Sequence, residues 1–181
     1  MNGKRNGFTL IEAMVATAVV AMTCCIAVPA VGAVAAKTRD ATIRSAMVET
    51  LQRATTHAIA TNSHTVICPS LDGQTCTRGV DWTPGWIAFA DLGVDRERDS
   101  PHDTLLHAQP ALEGGSRLRG SPGRTRIVVQ PRGDTAGSNT KFTICRKGST
   151  NHATALVLAN SGRWRFAQAA GPAASACAHG D

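Results

Sequence analysis

The hydrophobic pattern of the chain changes character twice. From Ala13 to Ala36 there are 24 residues without a charge. As a helix this run is about 36 Å long, enough to cross a hydrocarbon core of roughly 30 Å. In 37–62 the apolar positions thin to one stripe: Ile43, Met47, Leu51, Ala54 and Ala58 recur at i+4 or i+3, the period of an amphipathic helix. Asp40–Arg44 and Glu49–Arg53 are i,i+4 acid-to-base pairs that suit its solvated side. Such a stripe needs a globular surface to cover, and Asn62-Ser63 marks its stop.

From residue 63 the pattern is that of strands. HTVIC (64–68), GWIAFAD (85–91), TLLHA (104–108), TRIVVQP (125–131), KFTICR (141–146) and TALVLAN (154–160) are short apolar or alternating runs. Turn-forming clusters such as LDGQ, GSPG and RGDTAGSN separate them. The expected fold is α+β: a long N-terminal helix, membrane half plus amphipathic half, packed on an antiparallel β domain of about seven strands. The expected segments are 1–7, a leader; 8–36, a transmembrane helix; 37–62, its amphipathic continuation; and 63–181, the β domain. The tail 168–181 is rich in Ala and Gly and is expected to be loose unless tied down.

Composition adds two constraints. Aromatic residues are 4% of the chain and Tyr is absent, which predicts an aliphatic core. The net charge of +6 is uneven: residues 72–113 carry three Lys/Arg against eight Asp/Glu, and residues 114–181 carry ten against two. A basic end of this kind attracts anionic partners such as nucleic acid or anionic lipid.

Lys4 and Arg5 precede the apolar run, which places the leader on the cytoplasmic side. A secretory signal peptide fits poorly, because its apolar region spans only about 7–15 residues and Glu12 sits where that region would begin. A carboxylate at the edge of a membrane helix needs a partner. A cut after Gly7 would supply one, since Phe8 would carry a new amine four residues before Glu12. KRNGFTLIEAMVATAVV resembles the class III leader of type IV pilins and type II secretion pseudopilins. The resemblance implies that a prepilin peptidase cleaves after Gly7 and methylates Phe8. It also implies that Glu12 neutralises the Phe8 amine of a neighbouring subunit during filament assembly, and that the helix kinks or melts at Pro29. Localisation would then be the bacterial inner membrane, single-pass with a periplasmic β domain, and afterwards the pilus.

Beyond the apolar run four cysteines remain, an even number that on an exported domain predicts two disulfides. Cys68 and Cys76 bracket the turn-rich PSLDGQT and form one pair; Cys145–Cys177 is then the other, pinning the tail to a strand. A zinc site is the alternative, but no C-x2-C or H-x3-H spacing supports it. CPSLDGQTC followed by DWTPGWIAFAD resembles the GspH/FimT family of minor pilins and pseudopilins, with Pro69 as the local departure.

Other chemistry is thinly represented. ADLGVDRERD (90–99) is acidic, yet Gly93, Arg96 and Arg98 spoil the ligand spacing and charge of a calcium loop. The six His are scattered, none beside a Cys or Ser with a third orienting acid, and no phosphate-cradling glycine loop occurs. No enzyme activity, cofactor or metal is expected.

The remaining feature is SGRWRF at 161–166. Asn160-Ser161-Gly162 suits a hairpin turn ending in a glycine bulge. Alternation after it puts Arg163 and Arg165 on one face, about 6.8 Å apart, and Trp164 and Phe166 on the other, anchored in the core. GRWR matches the Gly-Arg-x-Arg element that the resemblance associates with DNA binding in FimT-type minor pilins of naturally competent bacteria, carried here by Gly162, Arg163 and Arg165. GRTR at 123–126 matches as well, and Arg124, Arg126, Lys141, Arg146 and Lys147 would widen the patch. The expected function is a minor pilin that binds double-stranded DNA without sequence preference for uptake in transformation, with other pilin subunits as partners. The alternative is a GspH-like minor pseudopilin with a structural role in a type II secretion pseudopilus.

Overall fold

In the computed structural model, residues 9–98 and 102–180 are described, side chains at 26–33 and 36 excepted. The expected cleavage pair Gly7 and Phe8 lies outside them. The chain divides into two compact units, residues 1–39 and 40–181.

The first unit is helical. Helix α1 (Leu10–Thr61) begins with Thr9, whose Oγ1 accepts the Glu12 backbone N–H at 3.4 Å. Thr9 and Glu12 thus stand at the Ncap and N3 positions favoured at helix starts. α1 is continuous through Pro29. Leu10, Ile11, Met14, Val15, Val19, Val20 and Met22 are all exposed, an apolar surface that needs cover from lipid or protein. Among the described residues no helix is long and apolar enough to cross a membrane.

The second unit begins with the rest of α1. The stripe Ile43, Met47, Leu51, Ala54 and Ala58 is buried, as its spacing predicts. α1 stops before Asn62, which takes the left-handed conformation (φ 51°), while the Ser63 N–H returns to the Ala58 carbonyl.

Eight strands follow: β1 (His64–Pro69), β2 (Trp86–Asp91), β3 (Thr104–Gln109), β4 (Ser116–Arg119), β5 (Ile127–Val129), β6 (Thr140–Arg146), β7 (Ser149–Leu158) and β8 (Trp164–Gln168). They form two antiparallel sheets, ordered β3-β2-β1-β5 and β4-β6-β7-β8. The count exceeds the expected seven because β4 is only four residues long, with Leu118 its one apolar residue.

The expected aliphatic core is corrected. Trp82, Trp86, Phe89 and Phe142 are all fully buried. Trp82 packs edge-on against Phe142 at 4.9 Å, and the Trp86 Nε1–H donates to Thr50 Oγ1 of α1 at 2.9 Å. Aromatics are few, but Trp82, Trp86 and Phe142 share the cluster where the helix meets the sheets, and Phe89 is buried on another sheet face.

The tail is not loose. Residues Gly171–His179 form a second helix, α2, with a proline in its first turn and Gly180 (φ 85°) as a left-handed stop. It lies over the sheet face opposite α1's core: Ala174, Cys177 and Ala178 pack on Cys145 and Ala153. Two disulfides, Cys68–Cys76 and Cys145–Cys177, are present.

Candidate nucleic-acid interface

The hairpin β7–β8 is closed by reciprocal bonds: the Ala159 N–H donates to the Arg163 carbonyl, and the Gly162 N–H to the Ala159 carbonyl. Gly162 has φ 77°, and a Cβ there would stand 2.7 Å from the Gly133 carbonyl oxygen. Only glycine satisfies both the backbone angle and the close approach. The turn is seated further by the Thr135 N–H and Oγ1–H, which donate to the Asn160 and Ala159 carbonyls.

Register then decides which cations meet. Lys141 on β6 pairs with Val157 on β7, and Val157 with Arg165 on β8. The three share one cross-strand row, so their side chains leave the same face. With strands about 4.8 Å apart, the Lys141 and Arg165 backbones are about 10 Å apart. Arg163, two residues before Arg165, follows the same alternation at the hairpin tip, where its Nε–H reaches Ser161 Oγ at 3.4 Å. Arg124 joins from a neighbouring loop. Its guanidinium donates to the Gly137 carbonyl at 2.7 Å and to Asn139 Oδ1 at 3.3 Å, and the Asn139 N–H in turn donates to Asn160 Oδ1 of the hairpin. Lys141, Arg124, Arg163 and Arg165 are all exposed.

Acidic neighbours are scarce. From Thr135 to Gly180 there is no Asp or Glu. Asp134, just before this stretch, is ion-paired with Arg132, and that hydrogen bond holds its carboxyl below the usual range. Arg132 is exposed in the loop next to the hairpin turn, but its charge is offset by this pairing with Asp134.

Three of the expected cations are elsewhere. Arg126 is largely buried and pairs with Glu97 at 2.5 Å, so its charge is neutralised in tying the 92–98 loop down. Arg146 sits five residues along β6 from Lys141, about 17 Å away, and on the other face, where it helps draw down the Asp40 carboxyl against the upward push of burial. Lys147 follows in the turn at that same far end, its N–H bonded to the Gly115 carbonyl.

The aromatic pair also departs from expectation. Trp164 and Phe166 do point to the core side, opposite Leu158 and Leu156 in register. Yet they are 37% and 47% exposed, because β8 is the edge strand of its sheet. They contact each other at 5.4 Å, and the Arg44 guanidinium lies 5.3 Å from the Phe166 ring centre.

Comparison with known proteins bears on what carries this surface. The family model described as type II transport protein GspH matches residues 45–162, and that of the prokaryotic N-terminal methylation motif matches residues 2–24. Among solved structures, the type IV minor pilin FimU of Pseudomonas aeruginosa strain PAO1, in space group P21, is similar with a TM-score of 0.53 at 17% identity, over 72% of this chain and 91% of that one. A second crystal form of FimU gives 0.49 at 16% identity, over 65% and 83%. At such identity the likeness is one of fold. No curated protein matches the chain.

Proposed function

The chain belongs to the GspH family of minor pilins and pseudopilins, and on that premise we propose that the Lys141–Val157–Arg165 end of the β6–β8 face, beyond the part covered by α2, binds double-stranded DNA. Membership makes it a subunit of a type IV pilus or a type II secretion system, a structural rather than an enzymatic class. Its leader motif implies processing by prepilin peptidase, membrane anchoring and then assembly with other pilin subunits.

One observation carries the proposal. Lys141 and Arg165 share a cross-strand row, with Arg163 beside them, on a stretch free of carboxylates from Thr135 to Gly180, and Arg124 joins from a neighbouring loop. Arginine suits phosphate because its planar fork offers paired donors at fixed charge. Arg163 and Arg165, about 6.8 Å apart, reach successive phosphates of one strand. Contacts of this kind are to the phosphate backbone, so recognition is without sequence preference. In a filament the face would hold incoming DNA during natural transformation.

The rival is a purely structural hairpin, and one observation favours it: contact with Gly133 alone accounts for Gly162. A gel shift separates the two. The full chain in neutral detergent is titrated into duplex DNA at two salt concentrations, beside Arg163→Ala/Arg165→Ala. With four cations engaged, log affinity falls with log salt at a slope of about −3.6. Absence of any shift at low salt refutes DNA binding. A shift that the double substitution leaves intact places the site elsewhere.

A further inference from the structure

Behind the hairpin, on the opposite side of β8 from the arginines, α1 and the β7–β8 turn enclose a cleft of about 190 Å³, several times the ~30 Å³ that one water occupies. Leu51 and Leu158 line it with apolar surface, Gln52, Thr56 and Thr135 with polar groups, and the exposed Trp164 with an aromatic face. An amide that both donates and accepts, beside a part-exposed indole and aliphatic side chains, is the chemistry that takes a flat heteroaromatic ring with hydrogen-bonding edges. Cations stand on both flanks: Arg163 and Arg165 across the strand, Arg44 over the adjoining Phe166.

The geometry points to this cleft as a subsite for an unpaired nucleobase of single-stranded DNA. The inference rests on the DNA-binding reading above. A duplex lying on the arginine face keeps its bases stacked inside and reaches only phosphate contacts. A single strand lying along the free edge of β8 is able to straddle it, with its phosphates on Arg163 and Arg165 and one base turned under the edge onto Trp164. β8 permits this because it is the last strand of its sheet, so no neighbouring strand bars the way from one face to the other. Base–aromatic stacking tolerates any sequence, in keeping with backbone-directed binding.

The test uses the emission of Trp164, which is separable because Trp82 and Trp86 are fully buried. The full chain in neutral detergent is titrated with oligo(dT) of about 12 nucleotides, with an abasic oligomer of equal length and charge, and with duplex DNA. Oligo(dT) is expected to quench the exposed emission and to bind about ten-fold more tightly than the abasic chain. Binding of the variants, which lack the probe indole, is read from the anisotropy of dye-labelled oligomers: Trp164→Leu should reduce oligo(dT) to the abasic level and spare duplex binding, while Trp164→Phe retains most of the gain. Retention of the buried Trp82 and Trp86 emission certifies that each variant is folded. Equal binding of oligo(dT) and the abasic chain, unchanged in Trp164→Leu, overturns the base subsite and leaves phosphate binding standing. Failure of all three ligands at low salt overturns both. Quenching that grows with protein concentration in the absence of DNA also overturns it, assigning the cleft to another copy of the chain.

Discussion

Gly162 and Gly133 are packed backbone to backbone: a methyl group added at Gly162 would lie 2.7 Å from the Gly133 carbonyl oxygen. The hairpin that carries Arg163 and Arg165 is therefore held by the 130–135 loop through a contact that tolerates no side chain. Gly162→Ala combines a left-handed backbone strain with a backbone clash, together on the order of 2–4 kcal/mol. Thermal unfolding should show a midpoint lower by several degrees. An unshifted midpoint would mean that the turn is not seated on Gly133.

The cations of the basic C-terminal region fall into separable groups. Alanine at Lys141, Arg163 or Arg165 should each weaken duplex binding and lower the salt slope by about 0.9. Alanine at Arg146 or Lys147, at the far end of β6, should leave both nearly unchanged. Arg126→Ala should spare DNA affinity but free the 92–98 loop by releasing Glu97, which faster amide exchange at residues 92–98 would register. Uniform losses across all six variants would argue for net charge rather than for a built site.

That division was not readable from the residues alone. Alternation after Gly162 assigns Arg163 and Arg165 to one face, because a strand repeats every two residues. It says nothing about which of the other cations shares that face; Lys141 does so only through its register with Val157, a pairing of residues far apart in sequence. Alternation also puts Trp164 on the core side correctly, yet cannot tell that β8 is the edge, where the core side is half open. The α1 stripe from Ile43 to Ala58 was legible because one helix face is set by local period. Helix α2 was not: AASACA carries no amphipathic contrast, and its burial depends on a disulfide and on small side chains meeting Ala153.

Cys145–Cys177, 32 residues apart, closes a loop that contains the whole β7–β8 hairpin and α2 as far as Cys177. Chain-entropy arguments put its contribution at about 3–4 kcal/mol. Cys145→Ser/Cys177→Ser should lower stability by that order and release α2 first, because α2 buries mainly Ala174, Cys177 and Ala178. Arg117 also holds the end of α2, donating to the Cys177 and Ala178 carbonyls at 3.3 and 3.4 Å. Proteolysis should cut the variant within 169–181 before the sheets unfold. Cleavage starting elsewhere would show that α2 docks without the bridge.

His107 on β3 sets a pH dependence in the second unit. Its Nε2 is buried with no hydrogen-bond partner, and burial, reinforced by the Arg53 charge and partly offset by Glu49, holds its pKa below the ordinary 6.5. In the unfolded chain the imidazole takes up its proton as the pH falls through 6.5; in the folded chain it resists until lower pH. The unfolded state binds more protons in that window, so stability is full above about pH 7 and declines as the solution is acidified. The decline ends once the folded imidazole protonates as well. Urea unfolding of wild type and His107→Gln at pH 7.5, 6.5 and 5.5 isolates the effect. The two should run parallel above pH 7 and diverge below it, with wild type losing the more stability. Parallel curves across the whole range would mean that His107 titrates alike in both states, and so that its ring is reached by water.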